Sequence, residues 1–344
     1  MPTYEQINVA VIGAGWVGGI RAHACAASPW VDKLHIAEIK PQRAAEIAAE
    51  TDATSVTEDW TTLLDNPAID AIIIASTPES SRFPIVRAAL QSGKHVMVEK
   101  PIAPTPAEAD EAIALAEAGN LKLTVGYTRR FDPKYAYINK AIKSGAIGEP
   151  VTCLVCRNIT REIGTKIKGR SKMSPAAMGG THSIDFLLWC LQPRLPVTVY
   201  SQQSGKLFSQ VSETPDHQWI MVTMDDGTTI TAGSGWILPL GYPQYSQSWI
   251  EVIGTDGALT VDDTHREVRV NTTEHGIRYP MSSMPGEPVD HVFAGAMVDE
   301  TRHFLEAVAR DTPVLVTARE ARLVMDVTMA ADRSAETGEA ISLR

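Results

Sequence analysis

Short, uniformly apolar runs alternate with longer amphipathic segments along the first third of the chain. The runs 7-INVAVIG-13, 69-IDAIIIAS-76 and 95-HVMVE-99 are rich in β-branched residues, which is typical of strands buried on both faces. Segments with apolar residues at helical spacing separate these runs, for example 105-TPAEADEAIALAEAG-119. Strands that alternate with helices of this length predict an α/β domain with a doubly wound parallel sheet.

The same pattern predicts the other elements of this region. We expect further strands at 34–40 and 121–127, and helices at 19–28, 41–50 and 81–93. The alternation ends there, which predicts a first domain at 1–125 and a second domain at 126–344. Apolar residues at helical spacing in the second domain predict helices at 182–191, 296–310 and 317–338. Gly179, Gly180 and Thr181 predict a loop directly before the first of these helices.

A glycine-rich turn follows the first predicted strand. Gly13, Gly15 and Gly18 form a G-x-G-x-x-G motif, with Trp16 and Val17 inside it. Gly13 permits a tight turn, Gly15 lets the backbone approach a pyrophosphate, and Gly18 lets the next helix pack closely on the strand. The free N–H groups of that helix then point at the phosphates. The motif predicts a dinucleotide-binding domain.

An acidic residue follows at the distance that ribose binding requires. Glu38 lies 20 residues beyond Gly18 (38 − 18) at the end of the next predicted strand, where a carboxylate binds the adenosine ribose hydroxyls. Its charge would repel a 2′-phosphate, so we expect NAD as the cofactor. Lys40 and Arg43 lie close enough to weaken that preference, and NADP stays an alternative.

Residues beyond the carboxyl ends of parallel strands are further candidates, since ligands of such sheets bind there. Ser76 and Thr77 follow one apolar run, and Glu99 and Lys100 follow another. We predict that all four contact the cofactor. Lys100, which proline follows, can be directed into a cleft; the alternative is a strand-end lysine that extends its ammonium into solvent.

Composition excludes several classes of protein. A formal net charge of −10 argues against nucleic-acid binding, which usually needs a basic face. No apolar run approaches the ~18 residues of a membrane span, and the first residues show no secretory signal. We expect a cytoplasmic protein that acts on a small molecule.

The four cysteines are Cys25, Cys153, Cys156 and Cys190, and they predict a reduced protein rather than a disulfide framework. Cys153 and Cys156 have a spacing that zinc sites use, but a second pair is lacking. Residues three apart on a strand face opposite sides. We therefore predict two strand cysteines and no metal site.

The chain resembles the Gfo/Idh/MocA oxidoreductases, the family of glucose–fructose oxidoreductase and inositol dehydrogenase. The shared landmarks run in family order over nearly the whole length, and the E-K-P triplet is the most specific of them. They are the glycine motif, 93-GKHVMVEKP-101, 126-GYTRRFDP-133, 145-GAIGEP-150, 182-HSIDFLLW-189, 251-EVIGTDGAL-259 and 300-ETRHFLEAVARDTPVLVTAREA-321.

The resemblance implies a fold and an assembly for the second domain. It implies an α+β domain with a large, mostly antiparallel open sheet. In relatives this sheet often pairs with another subunit, so we expect a homodimer or a homotetramer.

The resemblance also implies catalytic roles. It makes Lys100 the catalytic lysine that holds the substrate hydroxyl, and it places the catalytic histidine and aspartate at His182 and Asp185. The residues themselves support the last pair, because an aspartate three positions beyond a histidine shares its helix face and can orient the imidazole of a general base. The alternative is a histidine that caps the helix start.

Substrate contacts are expected from both domains. We predict contacts from Tyr127, Arg157 and Thr181 besides Lys100, His182 and Asp185. The basic segment 157–172 would suit the carboxylate of a sugar acid, and the alternative is a solvated segment of mixed charge.

The chain departs from the family pattern at four positions. Met178 replaces an aspartate that many members carry four residues before the histidine, and a thioether accepts no proton. Glu79, Arg82 and Thr128 replace residues that are often Asn, His and Asn in relatives. These differences concern the geometry of the substrate rather than the class of reaction.

Together these features predict an NAD(P)-dependent dehydrogenase that oxidises a secondary hydroxyl of a sugar, a polyol or a sugar acid. Three alternatives remain. The substrate is a non-sugar cyclic alcohol or a dihydrodiol, or bound NAD serves a reaction without net redox change, or the chain is a dinucleotide sensor. The presence of both Lys100 and His182 argues against a sensor, which has no chemical use for them.

Overall fold

The computed structural model describes residues 5–168, 171–208, 213–263, 268–279, 286–290 and 292–343. These residues form two units. The first unit contains 5–132 and 286–322, and the second contains 133–279 and 323–343.

A six-stranded parallel sheet forms the centre of the first unit. Its strands are β1 (Ile7–Ile12), β2 (Val31–Ala37), β3 (Ser55–Thr57), β4 (Ala71–Ile74), β5 (His95–Val98) and β6 (Leu123–Val125). They lie in the order β3-β2-β1-β4-β5-β6. The chain adds strands to one side of β1 as far as β3 and then crosses to the other side, where β4 pairs with β1. The predicted doubly wound sheet is confirmed. The sequence missed β3, because three residues with partial burial make no apolar run.

Helices connect these strands. They are α1 (Trp16–Ala26), α2 (Pro41–Thr51), α3 (Thr61–Leu64), α4 (Arg82–Gln91) and α5 (Pro106–Ala118). Short 3₁₀ turns lie at Glu79–Ser81 and Thr128–Phe131. Thr105 and Glu108 form a capping box at the start of α5, which satisfies N–H groups that the helix leaves unpaired.

A mixed sheet forms the centre of the second unit. The helices of this unit are α6 (Pro133–Lys143), α7 (Arg161–Lys168) and α8 (Thr181–Leu191), and a π-helical turn lies at Ala176–Gly180. The strands of the mixed sheet in this part of the chain are β7 (Pro150–Thr160), β8 (Pro196–Ser204), β9 (His217–Met224), β10 (Thr229–Leu238), β11 (Ser246–Gly254) and β12 (Ala258–Asp262). A separate hairpin follows, with strands β13 (Val270–Thr272) and β14 (Gly276–Arg278).

The last elements are shared between the units. They are the hairpin β15 (Glu287–Val289) and β16 (Val292–Ala294), the helices α9 (Ala296–Ala309) and α10 (Ala318–Thr337), and β17 (Ile341–Ser342). The seven-stranded sheet has the order β12-β11-β7-β10-β9-β8-β17. Only β7 and β10 pair in parallel within it, so the predicted open, mostly antiparallel sheet is confirmed.

The division into units differs from the predicted domains 1–125 and 126–344. The first unit continues to Asp132 and includes 286–322. Phe304 and Leu305 of α9 explain this return, because they are buried in the same core cluster as Val9 and Val11 of β1. Burial of two large apolar side chains stabilises this arrangement by about 1.5–3 kcal/mol each.

The paired cysteines lie where the sequence predicts. Cys153 and Cys156 belong to β7; the first is fully buried and the second half-buried. Burial raises the pKa of the Cys153 thiol to about 12, so it is a poor metal ligand at neutral pH. Across the described ranges, no group of three or more His, Cys, Asp or Glu side chains could hold a metal ion. None of the helices described in those ranges is long and apolar enough to cross a membrane.

Candidate active site

The glycine-rich turn is shaped by close backbone contacts at two of its glycines. Gly13 has a φ of +87°, and a Cβ added there would lie 2.7 Å from the Cα of Ser76. A Cβ on Gly18 would lie 1.8 Å from the Gly13 carbonyl oxygen. At Gly15 an added Cβ would meet no atom within 4 Å. Gly13 and Gly18 are thus fixed by packing, whereas Gly15 exposes its backbone to open space, as a pyrophosphate site requires.

Helix α1 follows this turn directly. Trp16 and Val17 are its first residues; Trp16 is exposed, and Val17 packs against a small apolar cluster that contains Ile20. The Gly15 carbonyl accepts the N–H of Gly19, so the helix begins at the motif. Its N-terminal N–H groups carry the positive end of the helix dipole, which favours an anion at this place.

Glu38 lies just beyond β2, which ends at Ala37. Its carboxylate is 7% exposed; one oxygen accepts the N–H of Ala14 at 2.8 Å and the other the N–H of Lys40 at 3.0 Å. Each carboxylate oxygen retains acceptor capacity for a ribose hydroxyl. The negative charge is therefore fixed beside the glycine-rich turn. Lys40 itself has an exposed side chain.

Arg43 contacts the same turn. Its Nε donates to the Ala14 carbonyl at 2.8 Å, and its Nη1 pairs with Glu46 and Glu50 at 3.3 and 3.4 Å. The sequence suggested that this guanidinium weakens the preference for NAD. In the structure two carboxylates share its charge, so it acts chiefly as a clamp between α2 and the turn.

The ends of β4 and β5 carry the next predicted residues. Ser76 is half-buried, with its hydroxyl 3.1 Å from that of Ser81, and Thr77 is exposed. Lys100 is half-buried and stands two residues beyond the last residue of β5. It therefore lies at the carboxyl edge of the parallel sheet, where ligands of this fold bind.

Glu99 has a different environment from the predicted cofactor contact. Its carboxylate accepts two N–H groups of Arg21, which also pairs with Glu300 at 2.7 Å and donates to the Thr301 hydroxyl at 2.9 Å. Arg21 is fully buried and Glu99 nearly so. The side chain of Glu99 thus belongs to an ion-pair network that joins β5 to α1 and α9, because a buried carboxylate needs such a partner.

Tyr127 is 2% exposed and precedes the 3₁₀ turn at Thr128–Phe131. Its N–H donates to the Val125 carbonyl at 2.8 Å, which ends β6 with a tight turn. The Tyr127 ring is buried. The predicted contact between Tyr127 and a substrate stays a prediction.

In the second unit, His182 follows a π-helical turn rather than the loop that Gly179 and Gly180 suggested. Gly180 has ordinary right-handed angles, φ −60° and ψ −34°, and the turn runs directly into α8. His182 is half-buried, whereas Asp185 is 0% exposed and Thr181 is nearly buried. His182 and Asp185 share one helix face, as predicted from their spacing. Such π-helical turns are frequent at functional sites.

Arg157 lies close to this turn. A Cβ on Gly179 would lie 2.6 Å from Ser234 Oγ and 3.9 Å from Arg157 Nη1. Glycine therefore lets the turn approach β10, and the guanidinium of Arg157 stands next to the backbone that leads to His182. Sequence patterns gave no signal for Ser234, which the parallel pairing of β10 with β7 places opposite Arg157.

Met178 does not stand in for a catalytic aspartate. Its side chain packs on a cluster of Ile159, Ile167 and Trp236. Its position in the turn is fixed by the bond from its N–H to the Ser174 carbonyl at 2.9 Å. The thioether has a packing role in this turn.

Most of the basic side chains that are described in the segment 157–172 are used within the protein; residues 169 and 170 lie outside the described ranges. The side chain of Lys168 is buried and pairs with Asp216 at 3.2 Å, and its ammonium lies 5.3 Å from the centre of the Trp236 ring. Lys166 pairs with Glu162, and Arg161 donates to the Ile237 carbonyl. The segment thus provides less charge for an anionic substrate than its composition suggested.

The structure groups the predicted residues by unit. The first unit brings Glu38 and Ser76 next to the glycine-rich turn, whose backbone is open at Gly15, and this arrangement fits a dinucleotide. Thr77 follows Ser76 and is exposed. Lys100 follows the neighbouring strand. The second unit brings together Arg157, Thr181, His182 and Asp185 around the start of α8.

Comparison with known proteins agrees with this geometry. Residues 7–127 match the model of an oxidoreductase family with an NAD-binding Rossmann fold. Residues 135–260 match the model of the GFO/IDH/MocA C-terminal domain.

Individual relatives cover from about two thirds of the chain to nearly all of it. A scyllo-inositol 2-dehydrogenase (NAD(+)) of Bacillus subtilis is 26% identical over 98% of this chain and 97% of its own. An inositol 2-dehydrogenase 2 of Paenarthrobacter aurescens is 32% identical over 65% of this chain and 67% of its own. The structure of a scyllo-inositol dehydrogenase from Lactobacillus casei with bound NAD(H) and scyllo-inositol superposes with a TM-score of 0.84, at 21% identity and over 98% and 99% of the two chains.

Proposed function

The chain belongs to the Gfo/Idh/MocA family of NAD-dependent oxidoreductases, and from that premise we propose that it oxidises a secondary hydroxyl of a polyol or a sugar. The observation that carries this proposal is the position of Lys100, half-buried at the carboxyl edge of an NAD-binding sheet. The members of the family named above are inositol dehydrogenases. Inositols are therefore the first substrates to test.

We assign the cofactor to the residues around the glycine-rich turn. The backbone at Gly15 and the start of α1 would hold the pyrophosphate, and Glu38 the adenosine ribose. Ser76 and Thr77 follow the neighbouring strand β4 and would line the same edge. Bound NAD accepts the hydride in this class of reaction.

Lys100 would bind the hydroxyl that reacts. Its ammonium donates a hydrogen bond to the oxygen, and this bond strengthens as the oxygen loses its proton and gains negative charge. A group that binds the alkoxide more tightly than the alcohol lowers the barrier rather than merely the KM.

His182 would take the hydroxyl proton. A half-buried imidazole is accessible to a substrate, and histidine is the side chain that most often acts as a general base. Asp185, fully buried on the same helix face, would orient the ring and stabilise the imidazolium that forms. Thr181 and Arg157 would contact the other hydroxyls of the substrate.

A neutral polyol is favoured over a sugar acid. The preference follows from the basic segment, in which Lys168 and Lys166 are already paired with Asp216 and Glu162. Arg157 of that segment lies near the turn before His182, 3.9 Å from a Cβ added to Gly179. One guanidinium is compatible with either class, so both belong in the test.

The experiment is a substrate panel followed by the absorbance of NADH. Purified protein is given NAD or NADP with inositols, aldoses, aldonates, uronates and a cyclic dihydrodiol. The proposal expects turnover with NAD on an inositol or an aldose. Turnover confined to the acids or the dihydrodiol would replace the substrate class. Conversion of a substrate without net formation of NADH would instead indicate that bound NAD is reduced and reoxidised within one reaction.

We also propose that two copies pair through the open face of the seven-stranded sheet. Trp219 and Met221 of β9 are 43% and 51% exposed, and Tyr200 of β8 lies opposite Met221. The Trp219 ring lies over Gly233, where an added Cβ would come within 2.6 Å of it. A row of large exposed apolar side chains on one face of a sheet is a feature of subunit interfaces, and a second copy presents the same row.

A further inference from the structure

Arg82 occupies an unfavourable position for a cation. It is the first residue of α4, yet its side chain is buried, with 6% of the residue exposed. The start of a helix carries a partial positive charge, and burial of a second positive charge there costs free energy unless other groups offset it. The groups around its guanidinium therefore indicate what it does.

Three backbone carbonyls accept its hydrogen bonds. Nε donates to the Ser76 carbonyl at 2.8 Å, and Nη1 donates to the carbonyl of Lys100 at 2.7 Å and to that of Glu99 at 3.3 Å. Ser76 follows β4, whereas Glu99 and Lys100 follow β5. One side chain thus connects the ends of two neighbouring parallel strands.

This connection lies next to the end of the backbone hydrogen bonds between β4 and β5. Glu99 still donates its N–H to the Ile74 carbonyl at 2.9 Å. Arg82 joins the two chains beyond this bond. It contacts the carbonyl of Lys100, one residue after Glu99, and that of Ser76, two residues after Ile74. A guanidinium suits this task because its N–H groups have a fixed planar geometry and keep their charge at any working pH.

We propose that Arg82 is a positioning residue for Lys100. By holding the Lys100 carbonyl next to that of Ser76, it fixes the backbone from which the lysine side chain extends toward the reacting hydroxyl. The inference rests on the proposed function, which gives Lys100 its role. The same clamp joins Lys100 to the backbone at Ser76, just beyond β4.

The first test is steady-state kinetics of Arg82→Met and Arg82→Lys, with the substrate that the panel identifies. A displacement of about 1 Å at a catalytic group costs roughly 100-fold in rate. We expect kcat to fall by roughly 10- to 100-fold in Arg82→Met, while the KM for NAD changes by less than about threefold. Arg82→Lys keeps the charge but loses the planar geometry, so its kcat should lie between those of the wild type and Arg82→Met.

The matched control is Arg87→Met on the same helix. Arg87 is half-exposed and pairs with Glu111 at 2.6 Å on the surface. Its removal takes the same charge from α4 without touching the strand ends. We expect its kcat to equal that of the wild type.

A second readout does not depend on turnover. Hydrogen–deuterium exchange of the full chain with bound NAD is followed on the peptides that contain 76–81 and 99–103. Arg82→Met should exchange faster in these two peptides and at the wild-type rate in β1 and β6. If the panel yields no substrate, the proposed function fails, and this exchange pattern still decides whether the clamp exists.

Three results would overturn the inference. The first is an unchanged kcat in Arg82→Met, whatever the exchange pattern, since the residue would then be structural only. The second is faster exchange throughout the first unit, which indicates global destabilisation. The third is equal loss of kcat in Arg87→Met. Should Arg82→Met fail to fold, Arg82→Lys takes its place in the same comparison.

Discussion

At the scale of single residues, we expect the carboxylate of Glu38 to decide which dinucleotide binds. It is fixed by the N–H groups of Ala14 and Lys40, so it cannot move aside for a 2′-phosphate without losing both bonds. Glu38→Gln keeps an acceptor for one of them and removes the charge. We expect the ratio of kcat/KM for NAD over NADP to fall roughly tenfold or more, since like charges at close range cost several kcal/mol.

The control for this prediction is Glu46→Gln, an exposed glutamate of α2 that pairs with Arg43. Its ratio should stay within about twofold of the wild type. An unchanged ratio in Glu38→Gln would mean that another group discriminates between the cofactors. The position of Glu38 was readable from the sequence, because the spacing from Gly18 is fixed by one strand and one helix. The bond to Ala14 was not, since it depends on the path of the turn.

At the scale of elements, the network of Arg21, Glu99 and Glu300 joins α1, β5 and α9. Removal of the cation by Arg21→Met leaves two buried carboxylates without its charge. We expect the free energy of unfolding to fall by about 3–5 kcal/mol, measured by urea denaturation. Arg302→Met, which removes an exposed cation from α9, should change it by less than about 0.5 kcal/mol. Similar losses in the two variants would contradict a structural role for the network.

A second element-scale prediction concerns pH. Burial raises the pKa of Asp216, but the N–H groups of Leu207 and Lys206 and the Lys168 ammonium outweigh it, so the pKa lies below its ordinary value. A lowered folded-state pKa stabilises the protein above the unfolded value of about 4, and this contribution is lost as the pH falls through the folded pKa. Asp216→Asn should therefore be about 3 kcal/mol less stable at neutral pH. Urea denaturation at falling pH should show this difference shrinking below about pH 4; a constant difference would contradict the prediction.

The elements also show what sequence patterns can predict. The apolar runs of β1, β4 and β5 predicted their strands, because burial on both faces leaves few polar positions. The predicted loop at Gly179 was wrong, since glycine pairs usually break helices and here the turn needs glycine to approach Ser234. The return of α9 to the first unit depends on contacts between residues about 290 positions apart, which local periodicity does not encode.

At the scale of the whole molecule, the open sheet face predicts self-association. Met221→Glu places an added negative charge at the centre of the proposed interface, in a chain that already carries a net charge of −10. We expect the wild type to sediment as a dimer or a tetramer and Met221→Glu to sediment as a smaller species. Leu240→Glu, at an exposed apolar residue outside the strands, should sediment as the wild type does. A monomeric wild type would contradict the proposed pairing.

The central claim is that Lys100 and His182 perform the chemistry of an NAD-dependent dehydrogenase. Its most direct test is the rate of NADH formation in a single turnover by the wild type, Lys100→Met, His182→Asn and the surface control Lys33→Met. We expect both site variants to bind NAD with a Kd within about threefold of the wild type and to lose roughly 10²–10⁴ in rate. Lys33→Met should keep the wild-type rate. A site variant that binds NAD and keeps the wild-type rate would contradict the claim for that residue.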